Sequence, residues 1–171
     1  MKKAAYFIAV VLVVVLIVSC SYVKKPEHDI EFIDKACIKP VAEYDYHICS
    51  PLKLKVDHNP VTIPNGFITD LASIPKPLWW LLSPSYSGFV YPAIVHDYMY
   101  RCPNHHTRYY ADNVFYSALL KEGVSQYVAQ RMYFAVRAFG GSHFQNENDC
   151  HYMDAKQINA LVKVDNITMK S

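Results

Sequence analysis

Glycine is scarce in this chain, with 5 in 171 residues. That excludes a collagen-like or low-complexity sequence. An excess of one charge is also missing. The 17 Lys and Arg are met by 15 Asp and Glu, and loss of the N-terminal leader would take Lys2 and Lys3 with it, leaving a balanced domain. Without a basic cluster no nucleic acid is expected as a partner, because phosphate binding needs concentrated Lys and Arg. Nor is there an apolar run long enough to span a bilayer comfortably. Ala4 to Val18 holds 15 residues, which as a helix reach only ~22 Å against ~30 Å of hydrocarbon. What is present is 52% hydrophobic and 19% charged, one domain's worth of chain and too apolar for disorder.

Lys2-Lys3 ahead of that run has the n-region and h-region of a secretory signal. The run ends in Ile17-Val18-Ser19-Cys20, which resembles the lipobox of bacterial lipoproteins. The resemblance implies a signal peptide over 1–19, cleavage before Cys20, diacylglycerol on its sulfur and acylation of its amino group. Several acyl chains at ~0.8 kcal/mol per buried methylene make such an anchor effectively permanent. Ser21 stands where the inner-membrane retention signal has Asp, so the expected location is the cell envelope, on the outer membrane facing the periplasm. The competing reading is an uncleaved short anchor with an incidental Cys. Cys37, Cys49, Cys102 and Cys150 remain, an even set in an oxidising compartment, and two disulfides are expected. Of the three pairings, Cys37–Cys49 as a local clip and Cys102–Cys150 as a long staple are favoured, each worth ~2–4 kcal/mol.

Residues 20–35 are polar and without periodicity, and read as a lipidated tether to a single globular domain over 36–171. Leu52-Lys53-Leu54-Lys55-Val56-Asp57 alternates as a strand with one dry face. Pro64-Asn65-Gly66 turns into a second strand at Phe67-Ile68-Thr69. The second half is helical. One helix is predicted from Ser87 to about Cys102, a second over Arg108–Glu122 behind a Thr107 cap with Gly123 after it, and a third over Gln126–Phe139 behind Ser125, closed by Gly140-Gly141. The expected class is α+β: a small antiparallel sheet on a helical hairpin plus a third helix, stapled by disulfides.

The first two helices carry the candidate chemistry. His96 lies ~9 Å from the end of the first, and Asp112 ~7.5 Å into its antiparallel partner, so they sit at one height. Tyr100 shares the face of His96 at i+4. An imidazole oriented by a carboxylate that a phenol braces is a competent general base toward water. Asp97 points about 100° away, free to ligate a cation or to pair with Arg101. The plainer readings are an Arg108–Asp112 helix pair and a buried histidine tying the hairpin together. Asp70 and Ser73 are expected as caps of the turn Leu71–Ile74, with Thr69 and Asp70 satisfying its free backbone donors, or Asp70 as a further carboxylate opposite His96 and Asp97. Trp79-Trp80-Leu81-Leu82 reads as core, or next as a patch for bilayer or acyl chains. Cys102, His105, His106, Cys150 and His151, with His143 nearby, would suit Zn²⁺ in a reducing compartment, but a Cys102–Cys150 disulfide would remove the two best ligands.

At these residues a family becomes visible. Gly66-Phe67-Ile68-Thr69-Asp70-Leu71-Ala72-Ser73-Ile74-Pro75, then Ala93 through Tyr100, then Ala111-Asp112-Asn113-Val114-Phe115, then Met132 through Arg137 with Phe139-Gly140, resemble the domain of unknown function 1353 family of bacteriophages, prophages and bacteria. The family-like core runs from 64 to 144, and the resemblance implies mobile-element origin without a mechanism. More loosely, His96-Asp97-Tyr98-Met99-Tyr100 followed by Asp112 is similar to the H-D-x-x-Y helix and second-helix Asp of secreted phospholipases A2. That similarity implies His96 as the base, Asp112 its orienting partner, Tyr100 the brace and Asp97 a Ca²⁺ ligand. The Gly-rich calcium loop of those enzymes is missing here, so either Asp70 takes its place or no calcium binds. Two functions follow as expectations: a cation-assisted hydrolase of lipid or envelope esters, or a non-enzymatic envelope lipoprotein that binds a surface or periplasmic partner, for instance to exclude a competing phage.

Overall fold

The computed structural model describes residues 24–41, 45–71, 87–102, 106–145 and 156. Six short strands come first: β1 Ile30–Phe32, β2 Ile38–Pro40, β3 Tyr46–Ile48, β4 Leu52–Val56, β5 Asn59–Ile63 and β6 Ile68–Thr69. Three helices follow, α1 Val90–Arg101, α2 Arg108–Lys121 and α3 Gln126–Phe139, with 3₁₀ turns at Ser87–Phe89 and Gly140–His143. The class is α+β, as expected, but the strands form two sheets instead of one. β1-β4-β5 make one three-stranded sheet and β2-β3-β6 the other, all antiparallel.

β4 behaves as its alternation demands. Leu52, Leu54 and Val56 are buried while Lys53 and Lys55 face outward or to the rim, so a one-residue slip would expose the whole apolar row. Its hairpin partner β5 pairs Val56 with Asn59, leaving Asp57 and His58 as a two-residue turn. Both have positive φ (51° and 67°), the conformation that matches the twist of the strands. Asp57 offsets that strain by accepting from the Asp29 amide at 2.9 Å and bonding His28 Nδ1 at 2.7 Å. Pro60 sits on β5, an edge of the sheet, where its missing N–H costs no ladder bond.

The tether expectation is corrected over part of its length. Ile30–Phe32 is a strand paired with β4, and Ile30 is buried in the main core. Lys24 is buried as well, its carbonyl accepting from Tyr116 Oη at 2.5 Å and Gln126 Nε2 at 3.0 Å. A three-residue strand is too short to show period two, and Lys24 is buried by snorkelling along aromatic rings rather than by apolarity. Cys20 and the leader lie outside the described residues. Among the described residues no helix is long and apolar enough to cross a membrane.

α2 is the central element. One side of it, through Ala111, Val114 and Ala118, joins the core built from β1, β4, β5 and Ile94, Val95 and Met99 of α1. Its other side, through Phe115, Tyr116 and Leu119, packs on Ala129, Met132, Tyr133 and Val136 of α3. Thr107 caps it as predicted, accepting from the Tyr110 amide at 3.1 Å, and Gly123 after it has φ 81°. Ser125, expected to cap α3, makes no side-chain cap bond.

Cys37 and Cys49 are joined, closing a separation of 12 residues across the β2–β3 hairpin. Replacing both with Ser is expected to lower the urea midpoint and steepen the slope, because the unfolded chain loses its crosslink, at a cost of about 3 kcal/mol in the loop-entropy account. Cys102 is disulfide-bonded too, and with its sulfur so engaged it cannot serve as a zinc thiolate. Cys150, His105 and His151 lie outside the described residues, as do Ser73 and the Trp79–Trp80 segment, and His106 stacks on Tyr110.

Candidate functional site: a buried His–Asp–Tyr network

α1 presents His96 and Tyr100 one turn apart, their ring centroids 4.0 Å from each other. Both reach the same atom of α2. His96 Nε2 lies 3.0 Å from Asp112 Oδ1, and Tyr100 Oη donates to that oxygen at 2.6 Å. The arrangement predicted from helix rise is therefore present. The second oxygen, Oδ2, accepts from Arg137 Nη1 of α3 at 2.7 Å and has Arg108 Nε at 3.8 Å. Arg108 also donates to the Arg137 carbonyl at 2.6 Å, tying the start of α2 to the end of α3.

Burial pushes the Asp112 carboxyl up, but hydrogen bonds from His96, Tyr100 and Arg137 outweigh it and hold the group below the usual carboxylate range. It is an anion with no exposed surface. Burial also holds the His96 imidazole below its usual range, against the pull of Asp112 and Asp70. Since a carboxylate can only accept, the proton of the neutral ring is on Nε2, and Nδ1 keeps the free lone pair. Burial and the Asp112 bond raise the Tyr100 phenol, which stays a donor. Gly140 makes room for it: a Cβ there would stand 2.7 Å from Tyr100 Oη.

Asp97 departs from expectation. It is 7% exposed, not free, and its Oδ2 accepts from Thr69 Oγ1 at 2.5 Å. Arg101, its expected helix partner, donates to the Ile68 carbonyl at 2.8 Å. Thr69 accepts in turn from the Leu71 amide at 3.2 Å, so the turn after β6 is held by Thr69. Asp97 also shares a hydrogen bond with Asp70, and burial together with the Asp70 charge pushes its carboxyl up to about 7. Asp70 thus stands beside Asp97, and its charge also acts on His96. The oxygens of Asp70, Asp97 and Thr69 are of the hard kind that Ca²⁺ takes, although a full shell needs six to eight. Among the described residues no cluster of three His, Cys, Asp or Glu groups suits a metal ion.

His96 and Asp97 border one small cavity of about 20 Å³, whose other walls are apolar: Leu71, Phe89, Ala93, Phe115, Met132 and Val136. That is about the room one water requires. Arg137 is the member of the network that sequence reasoning did not assign, although it carried a signal, a cation at the end of an otherwise apolar helix face. Thr69 accepts from the Leu71 amide as its place in the turn suggests, and its bond to Asp97 goes beyond that role.

The three stretches that meet here, Thr69-Asp70, His96-Asp97 with Tyr100, and Asp112, are distant in sequence and joined by hydrogen bonds. No curated protein and no solved structure matches the chain. Residues 46–136, from β3 into α3, match a family described as Protein of unknown function (DUF1353). That span exceeds half of the chain, and the protein belongs to the DUF1353 family.

Proposed function

We propose that this chain is a lipid-anchored envelope protein of phage or prophage type that hydrolyses an ester of lipid or envelope material, with His96 as general base. The observation that carries the reading is the paired approach of His96 Nε2 and Tyr100 Oη to one oxygen of Asp112. It fixes the ring and its tautomer, so Nδ1 is the atom that takes a proton from water as the water attacks the acyl carbon. Asp112 stabilises the imidazolium that forms. Asp70 and Asp97 are the residues that would hold Ca²⁺, whose charge would polarise the ester carbonyl. An acyl group on Cys20, where the sequence resembles a lipobox, would hold the domain at a membrane surface, next to such substrates.

The second reading is favoured by burial. His96 is 5% exposed and its ring lies against Phe115 at 4.6 Å between centroids. In that reading the network only ties three helices together, and the surface binds an envelope partner without chemistry. Hydrolysis of phospholipid and simple ester substrates by the lipidated chain, with Ca²⁺ and with chelator, separates the two. The hydrolase reading expects release of fatty acid, cut ~10²–10⁴-fold by His96→Ala in a variant that still melts cooperatively. No release by wild type with any cation removes it.

A further inference from the structure

α3 is apolar on two opposite sides. Ala129, Met132, Tyr133 and Val136 are buried against α2. On the far side, Tyr127, Arg131, Phe134 and Ala138 follow at i, i+4, i+7 and i+11, which a 3.6-residue period lines up as one stripe. Tyr127 and Phe134 on it are 57% and 50% exposed. The Arg131 guanidinium lies 3.3 Å over the Tyr127 ring. α3 carries two arginines and no acidic residue. A stripe of aromatic rings with a cation among them suits the headgroup layer of a bilayer, where rings settle at the interface and cations meet anionic lipid.

The path of the chain limits how far the start of this stripe can stand from an anchor at Cys20. The described structure begins at Lys24, whose carbonyl accepts from Gln126 Nε2, the first residue of α3 and the neighbour of Tyr127. Lys24 Nζ sits 4.7 Å over the Tyr133 ring on the side of α3 that packs toward α2, so the chain reaches the helix at its first turn, on the flank of the stripe. From Lys24 back to Cys20 is a short length of chain, at most ~14 Å fully extended. An acyl group on Cys20 therefore holds the start of α3 within about that distance of the membrane. Lys25, exposed beside it, adds a further cation; the nearest acid of this segment, Glu27, is engaged by Lys24 at 2.5 Å.

We infer that the Tyr127–Arg131–Phe134 face of α3 lies on the phospholipid surface and fixes the orientation of the anchored domain. This rests on lipidation at Cys20. The test uses the full lipidated chain on bilayers of phosphatidylethanolamine and phosphatidylglycerol, some carrying a headgroup-bound gadolinium chelate. A trifluoromethyl-phenylalanine probe replaces Phe134 in one sample and Ile33 in another; Ile33 is also exposed, at 51%, but follows β1. Paramagnetic broadening several-fold greater at 134 than at 33 is the expected result, reduced by Tyr127→Ser with Arg131→Ser. Equal or reversed broadening in a chain that still floats with the bilayers overturns the orientation and leaves the anchor standing. A chain that washes off them overturns the anchor and the orientation together. Broadening at neither position, with the two probes close to a second copy instead, assigns the stripe to self-association and also overturns the proposal.

Discussion

Replacing Asp112 with Ala is expected to cost about 3–5 kcal/mol of stability, the range for removing one partner of a buried ion pair. The size follows from what the carboxylate holds. Its two oxygens accept from His96, Tyr100 and Arg137, and its side chain is fully buried between α1, α2 and α3. Truncation leaves buried His96 and Tyr100 and the part-exposed Arg137 cation without that acceptor, and the two buried groups each carry a desolvation penalty. Asp112→Asn keeps one acceptor oxygen and should fall between wild type and Ala. Urea unfolding at neutral pH measures the difference. A loss of only ~0.5 kcal/mol, the size typical of surface substitutions, would mean that the network does not form.

The same carboxylate sets a pH signature. Its folded pKa lies below its usual value, so the folded chain releases that proton more readily than the unfolded one. The stabilisation is complete above the unfolded value and disappears as pH falls through the folded one. Wild type and Asp112→Ala should therefore converge in acid. Arg137→Met in both backgrounds supplies a double-mutant cycle, in which strong coupling is expected between groups 2.7 Å apart.

Local periodicity made most elements legible. Leu52–Val56, the Thr107 cap and the three helices follow from alternation, capping chemistry and the 3.6-residue repeat, and the His96–Asp112 approach follows from helix rise alone. The misses are all contacts that local pattern cannot encode. Ile30–Phe32 is too short to alternate, and the turn at Asp57–His58 uses two non-glycine residues at positive φ. Lys24 is buried by its carbonyl and its long stem, against the usual exposure of lysine. Splitting the strands into two sheets, and bringing Arg137 to Asp112 and Thr69 to Asp97, depend on how distant segments dock. Helix geometry showed that Asp97 points away from Asp112; it could not show that β6 would be there to receive it.

Asp97→Asn is expected to stabilise the protein, and only at higher pH. In the folded chain burial and the neighbouring Asp70 charge push the Asp97 carboxyl from 3.8 up to about 7. Between those two values the folded state keeps a proton that the unfolded state has already lost. Stability from this group is thus complete below the unfolded value, declines as pH rises toward 7, and stays low above it. Three units at 1.36 kcal/mol each amount to ~4 kcal/mol as an upper figure. An amide reproduces the protonated acid: its oxygen accepts from Thr69 and its nitrogen donates to Asp70. The variant should match wild type near pH 4 and exceed it by up to ~4 kcal/mol at pH 8, both in chelator. A variant that loses stability at every pH would show that Asp97 is needed as an anion. Excess Ca²⁺ adds a second decision, because a cation held by Asp70 and Asp97 requires both to be ionised. Wild type would then keep its stability at pH 8 while Asp97→Asn ignored the ion. If Ca²⁺ leaves both curves unmoved, the proton and not the metal is what these two carboxylates share.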